Sequence, residues 1–188
     1  MTTSAQTSLN GVDVGRLKAT IGHIQENAEL ARFTFRSHTE WLGGGHSRTS
    51  IQGFYGAGRE DDSRTEPLIV EGDEPPILLG DNRGPNAVEM VLHALASCLA
   101  VGLIYNAAAR GIEVTALEMD LEGDVDLRAF LGLSKEVRPG YDGIQVRYRV
   151  EADAPRERLV ELCEYVQDTS PVLDMLTNPV PVSISMDS

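Results

Sequence analysis

The sequence predicts an α+β domain in which antiparallel sheet packs on two helices. Three observations carry that expectation. The segment from Pro85 to Arg110 is the longest apolar run in the chain, and apolar residues occupy nearly every helical face of it. Ile112 to Val125, Ile144 to Val150 and Val180 to Met186 alternate apolar with polar residues, the period of a strand with one wet face. The order of elements is helix, hairpin, strand, long helix, strands, helix, strand, which groups the strands around two packed helices.

The elements follow in order. Residues 1–10 read as a flexible tail, and residues 11–188 as one domain with an added N-terminal helix. Val14, Leu17, Ile21 and Ile24 recur at helical spacing within Val12 to Leu30. Phe33 and Phe35 alternate with polar neighbours, so Leu30 to Trp41 predicts a strand. Gly43-Gly44-Gly45 forces a turn, and Ser47 to Tyr55 returns as the second strand of a hairpin whose loop carries His46 and Arg48. Gly56 to Pro67 reads as a loop, Leu68 to Val70 as a short strand, and Asp73 to Asn86 as a second loop. The long helix starts after Gly84-Pro85-Asn86, and Gly111 stands where a C′ glycine ends a helix. Asp126 to Leu133 reads as a short helical turn. A second helix begins near Asp153, placed as its N-cap before Pro155, with Leu159, Val160, Leu162, Cys163 and Val166 on its apolar side. Ser170-Pro171 breaks that helix and starts another short one. Val180 to Met186 closes the chain as a final strand.

Net charge is −13, and no basic stripe is present to neutralise phosphates, so neither nucleic acid nor an anionic membrane surface is an expected partner. Glu89 and His93 interrupt the long apolar run, which predicts a core helix rather than a membrane span. The first residues show neither a basic region nor an apolar one, so no signal peptide is expected. Two cysteines do not make a disulfide scaffold, and the expected location is the cytoplasm, with reduced thiols. His23, His38, His46 and His93 lack metal-ligand spacing, and the glycine triplet lacks the Lys-Ser/Thr of a phosphate loop, so no cofactor is expected. Glu118, Asp120, Glu122, Asp124 and Asp126 read as a solvated strand face, with Arg147 and Arg149 on the wet side of their own strand.

The chemistry rests on the thiols. Cysteine is often a small buried hydrophobe. A reactive one needs a cation nearby to hold its thiolate, and Arg48, Arg83 and Arg110 are the candidates. Around Cys98 the sequence resembles a family. Gly84-Pro85-Asn86, Val88-Glu89 and Ala94-Leu95-Ala96-Ser97-Cys98-Leu99 are similar to the central helix of the OsmC and organic hydroperoxide resistance proteins. Asp73-Glu74-Pro75 and Leu79-Gly80 resemble the loop leading into it, and Ser170-Pro171-Val172 and Pro179-Val180-Pro181-Val182 its C-terminal end.

That resemblance implies an intertwined homodimer, with two long helices at its centre wrapped by antiparallel sheets. It implies reduction of organic hydroperoxides, with a small hydrophobic or peroxide substrate as partner, by Cys98, polarised by an arginine from the N-terminal hairpin and a glutamate at the start of the long helix. Arg48 or His46 matches the arginine. Val88 occupies the usual glutamate slot and Glu89 falls one residue late, nine residues before Cys98 and so about 180° around the helix. The family's second cysteine corresponds to Ser170, and Cys163 lies seven residues earlier. The expected catalytic set is therefore Cys98, Arg48, Glu89 and Cys163, with His46, His93 and Ser170 as pocket candidates. Cys163 or an external thiol would resolve the oxidised Cys98. The alternative is a binding protein on the same scaffold, with Cys98 lining an apolar pocket at the dimer interface.

Overall fold

The computed structural model describes residues 8–186. In chain order it contains β1 (Ser8–Leu9), β2 (Val12–Asp13), α1 (Val14–Glu26), β3 (His38–Gly43), β4 (His46–Ile51), β5 (Phe54–Gly56), β6 (Arg59–Asp61), β7 (Leu68–Gly72), α2 (Ala87–Ala109), β8 (Val114–Val125), α3 (Leu127–Phe130), β9 (Tyr141–Ala152), α4 (Arg156–Thr169) and α5 (Pro171–Thr177). Strand pairing is antiparallel throughout these elements, so the α+β expectation holds. The chain gathers into two compact units, Gly15–Val91 and the described residues of Met1–Val14 with Leu92–Ser188.

The unit containing Leu92–Ser188 is built on the hairpin β8–β9, two strands of 12 residues each. Their alternation sends Leu117, Met119, Leu121, Ile144, Val146, Tyr148 and Val150 against a buried cluster of Leu95, Leu99, Leu103, Ala107, Ile112, Leu162 and Val166. The opposite face is solvated. There Arg149 pairs with Glu118 and Asp120, and Arg147 with Glu122, all across the ladder. Such exposed pairs contribute little to stability.

Leu95, Leu99, Leu103 and Ala107 recur every four residues, so α2 buries one stripe rather than all its faces. Val101 and Tyr105 on the remaining surface are each 48% exposed. The all-round burial expected from composition is therefore corrected. One chain supplies packing for one side of α2 only. By length and composition alone, Ala87–Ala109 could cross a bilayer. Gly111 closes α2 with φ +69°, the left-handed value its position requires.

Three further expectations are corrected in this unit. Ser8 to Asn10 fall within the expected tail. They join a two-stranded ladder across Asn10-Gly11, both at positive φ, the geometry of a tight hairpin turn. The Asn10 side chain then clamps Ile112 O and Val114 N at 2.9 Å each. The rest of the expected tail lies outside the described residues. Asp153 is not the cap of α4, which follows Pro155 without a side-chain cap. Val180 to Met186 forms no strand, because alternation makes a strand only where a ladder partner stands beside it.

The unit Gly15–Val91 holds the sheet β3–β4–β7 and the separate hairpin β5–β6. The strand expected over Leu30 to Trp41 begins only at His38. Phe33 and Phe35 instead pack their rings on Phe54, the first stacked and the second tilted, at centroid separations of 6.3 and 5.5 Å. The stretch read as a loop from Gly56 contains β6, turned at Ala57-Gly58 with positive φ at both. A Cβ on Gly84 would meet Glu71 O at 2.3 Å, so glycine is required where the loop before α2 passes β7.

Candidate functional site

The long helix is started by a reciprocal cap. Asn86 Oδ1 accepts from Glu89 N at 2.9 Å, and Glu89 Oε2 accepts from Asn86 N at 2.8 Å. Glu89 is thus engaged in starting the helix. His93, farther along α2, meets Ser97 Oγ at 3.4 Å on an exposed face.

Cys98 is half-buried, and its Sγ lies 3.2 Å from Ser170 Oγ. Ser170 is 5% exposed and sits between α4 and α5. Its Oγ accepts from Leu173 N at 3.2 Å as the cap of α5. Accepting there leaves the hydroxyl proton free to point at the sulfur. While the thiol is protonated either group can donate. Once sulfur is ionised only Ser170 can. The sequence alignment of Ser170 with the second-cysteine slot therefore corresponds to a direct contact with Cys98.

Cys163 is a free, half-buried thiol on α4. Burial, and then the carboxylate of Glu164, push its pKa up. That opposes the thiolate a resolving residue needs. Tyr148, absent from the expected site residues, packs on the same buried cluster as Cys163. Its hydroxyl is buried without a hydrogen-bond partner among the described residues. Burial, then Cys163 and Cys98, push its pKa up to about 12. The signal was present, since Tyr148 occupies an apolar slot in the alternation of Ile144 to Val150.

The candidate cations are already engaged. His46 and Arg48 are not in a loop but on β4, whose alternation puts both on one face. Arg48 lies in register with Glu71 of β7, and both side chains bind its carboxylate at 2.8 Å. Arg48 and then His46 hold Glu71 below the usual carboxylate range. Arg83 bonds Asp81 at 3.1 Å, and Arg110 lies 4.5 Å from the centre of the Tyr165 ring. These pairings give Arg48 a partner in its own sheet, whereas Cys98 and Ser170 meet in the other unit. A cavity of about 260 Å3 is lined by His46, Asp73, Arg83 and Gly43 to Gly45. No cluster of metal-holding side chains occurs among the described residues.

A family model for OsmC-like protein matches residues 80–185, more than half of the chain. The chain belongs to the OsmC family. No curated protein is matched by its sequence. Among solved structures, an OsmC-like protein from Mycoplasma pneumoniae is 14% identical with a TM-score of 0.58, over 78% of this chain and 89% of that one. An OsmC-like protein of unknown function from Vibrio cholerae is 10% identical with a TM-score of 0.52, over 75% and 92%. A Legionella pneumophila structure described as an organic hydroperoxide resistance protein is 14% identical with a TM-score of 0.50, over 77% and 90%. At these identities the likeness concerns the fold. The match to the OsmC family covers Cys98, Ser170, Cys163 and Tyr148.

Asp73 ties down the loop that precedes the OsmC-like helix. It is 4% exposed and accepts from the backbone N–H groups of Glu74, Asp81 and Arg83. The Arg83 and then the Glu74 N–H hold its carboxyl below the usual carboxylate range. A depressed folded pKa stabilises fully above the unfolded value of about 3.9 and less as pH falls through the folded one. Thermal midpoints measured from pH 7 to pH 3 are expected to fall more steeply for the wild type than for Asp73→Asn. Parallel curves would remove Asp73 from the acid response.

Proposed function

We propose that this OsmC-like chain reduces organic hydroperoxides, with Cys98 as the attacking residue and an external thiol as reductant. The observation that carries the reading is the Sγ–Oγ contact of 3.2 Å between Cys98 on the central helix and Ser170. It gives the sulfur a hydrogen-bond donor beside it on the central helix. The name of the Legionella relative, an organic hydroperoxide resistance protein, agrees in chemistry.

In the first step the Cys98 thiolate attacks the hydroperoxide, the O–O bond breaks, and sulfenate and alcohol form. Serine cannot form a disulfide, and Cys163 is held protonated by burial. An external thiol therefore condenses with the sulfenic acid and releases water. A second thiol displaces the mixed disulfide and restores Cys98. The cytoplasm supplies such thiols, and a homodimer is the expected working form.

The test is consumption of cumene hydroperoxide by the wild type with dithiothreitol or glutathione, and mass analysis of dimedone adducts. Turnover with an adduct on Cys98 is expected. Absence of turnover with several thiol donors, with no adduct at Cys98, would leave small-molecule binding as the better reading.

A further inference from the structure

Tyr148 lies in the core-facing register of β9, opposite Met119. It packs with Cys163 around the buried cluster. Its hydroxyl is buried without a partner among the described residues, although buried tyrosine hydroxyls usually find one. Leu95 and Leu99, which flank Cys98 on α2, belong to that cluster, so the phenol packs on the stretch of helix that carries Cys98. Ser170 already serves the sulfur of Cys98 directly. The phenol reaches no sulfur in the reduced state, yet it is a donor with nothing to donate to.

We propose that the Tyr148 hydroxyl is the hydrogen-bond donor for the oxygen that Cys98 gains on oxidation. The proposal rests on the hydroperoxide reading above. One added oxygen extends the sulfur by a bond length and carries the new negative charge, which brings an acceptor toward a donor that was out of reach. The phenol keeps its proton throughout the neutral range, because its pKa is pushed up to about 12. Donation to the sulfenate oxygen withdraws charge from sulfur and makes it a poorer nucleophile. A second hydroperoxide would otherwise be attacked by that sulfur, its O–O bond breaking to give sulfinate and alcohol, the irreversible rung of the oxidation ladder. With serine in place of a second thiol, the sulfenate must persist until an external thiol arrives, so a donor that slows this loss serves the cycle.

The test compares wild type with Tyr148→Phe, titrated with cumene hydroperoxide in the absence of thiol. Dimedone adduct and sulfinate at Cys98 are followed by mass. The Phe variant should reach half-conversion to sulfinate at roughly ten-fold lower hydroperoxide, the effect of one lost charged hydrogen bond. Its thermal midpoint in the reduced state should be unchanged or higher, since only an unpartnered buried hydroxyl is removed. Tyr148→Leu should share the sensitivity while losing midpoint through packing. Superimposed sulfinate curves, with sulfenic acid formed in all proteins, would overturn the donor role and leave the peroxidase standing. Failure of the wild type to form any adduct at Cys98 would overturn both.

Discussion

Hydroperoxide treatment of the Ser170→Cys variant is expected to close a disulfide between positions 98 and 170 of the same chain. The two side-chain ends are 3.2 Å apart with oxygen at position 170, and a disulfide needs about 2.05 Å. The missing approach of roughly 1 Å falls on the junction of α4 and α5, a single residue between two helices. Ser170 also caps α5 through Leu173 N, and replacing such a cap costs about 1 kcal/mol. The variant should therefore fold with a slightly lower thermal midpoint and behave differently on oxidation. In the wild type the oxidised sulfur is expected to appear as a mixed disulfide with added glutathione. In the variant it should appear as an internal crosslink that a dithiol reduces far better than glutathione does. Non-reducing peptide mapping decides it. A persistent glutathione adduct on Cys98 of the variant would show that the approach is blocked. It would also remove the contact with Ser170 as a guide to the chemistry.

Where local chemistry decides an element, the sequence was sufficient. The central helix, its glycine stop and the long alternating strands appear close to where pattern put them, because capping and periodicity act within a few residues. Asn10-Gly11 was equally legible, as an Asn-Gly pair between short extended segments, and was hidden only by its position near the N-terminus. For His46 and Arg48 the glycine triplet suggests a wider turn that would leave both in a loop. The strand in fact begins at His46, paired with Gly43. That change of one or two residues decides the neighbour, since in-register pairing delivers Arg48 to Glu71. Ser170 could be matched to a slot, but its distance from Cys98 spans 72 positions of chain and depends on tertiary packing. Tyr148 was invisible as chemistry for the same reason. Its apolar slot was evident, whereas the emptiness around its hydroxyl belongs to the fold.

Removing the residues from Val180 onward is expected to convert a homodimer into monomer. Val180, Val182, Ile184 and Met186 are 47%, 76%, 91% and 94% exposed. They alternate with Pro181, Ser183 and Ser185, yet no strand of their own chain pairs with them among the described residues. Exposed apolar alternation on an unpaired backbone is a template for another chain. On α2, Val101 and Tyr105 remain uncovered as well. A second copy would cover both faces at once, because a two-fold interface uses the same surfaces twice. Burying a side chain of the size of Ile184 stabilises by about 1.5–3 kcal/mol. Loss of the whole segment should then weaken association at least ~100-fold, or about 2.8 kcal/mol. Light scattering at micromolar concentration should give twice the chain mass for the intact protein and a smaller mass for the truncated one. Ile184→Lys, which keeps the chain length and places a charge on the apolar side of the alternation, should act in the same direction. A monomeric mass for the intact chain would mean that α2 and the C-terminal segment are covered in some other way, and the homodimer would then be abandoned.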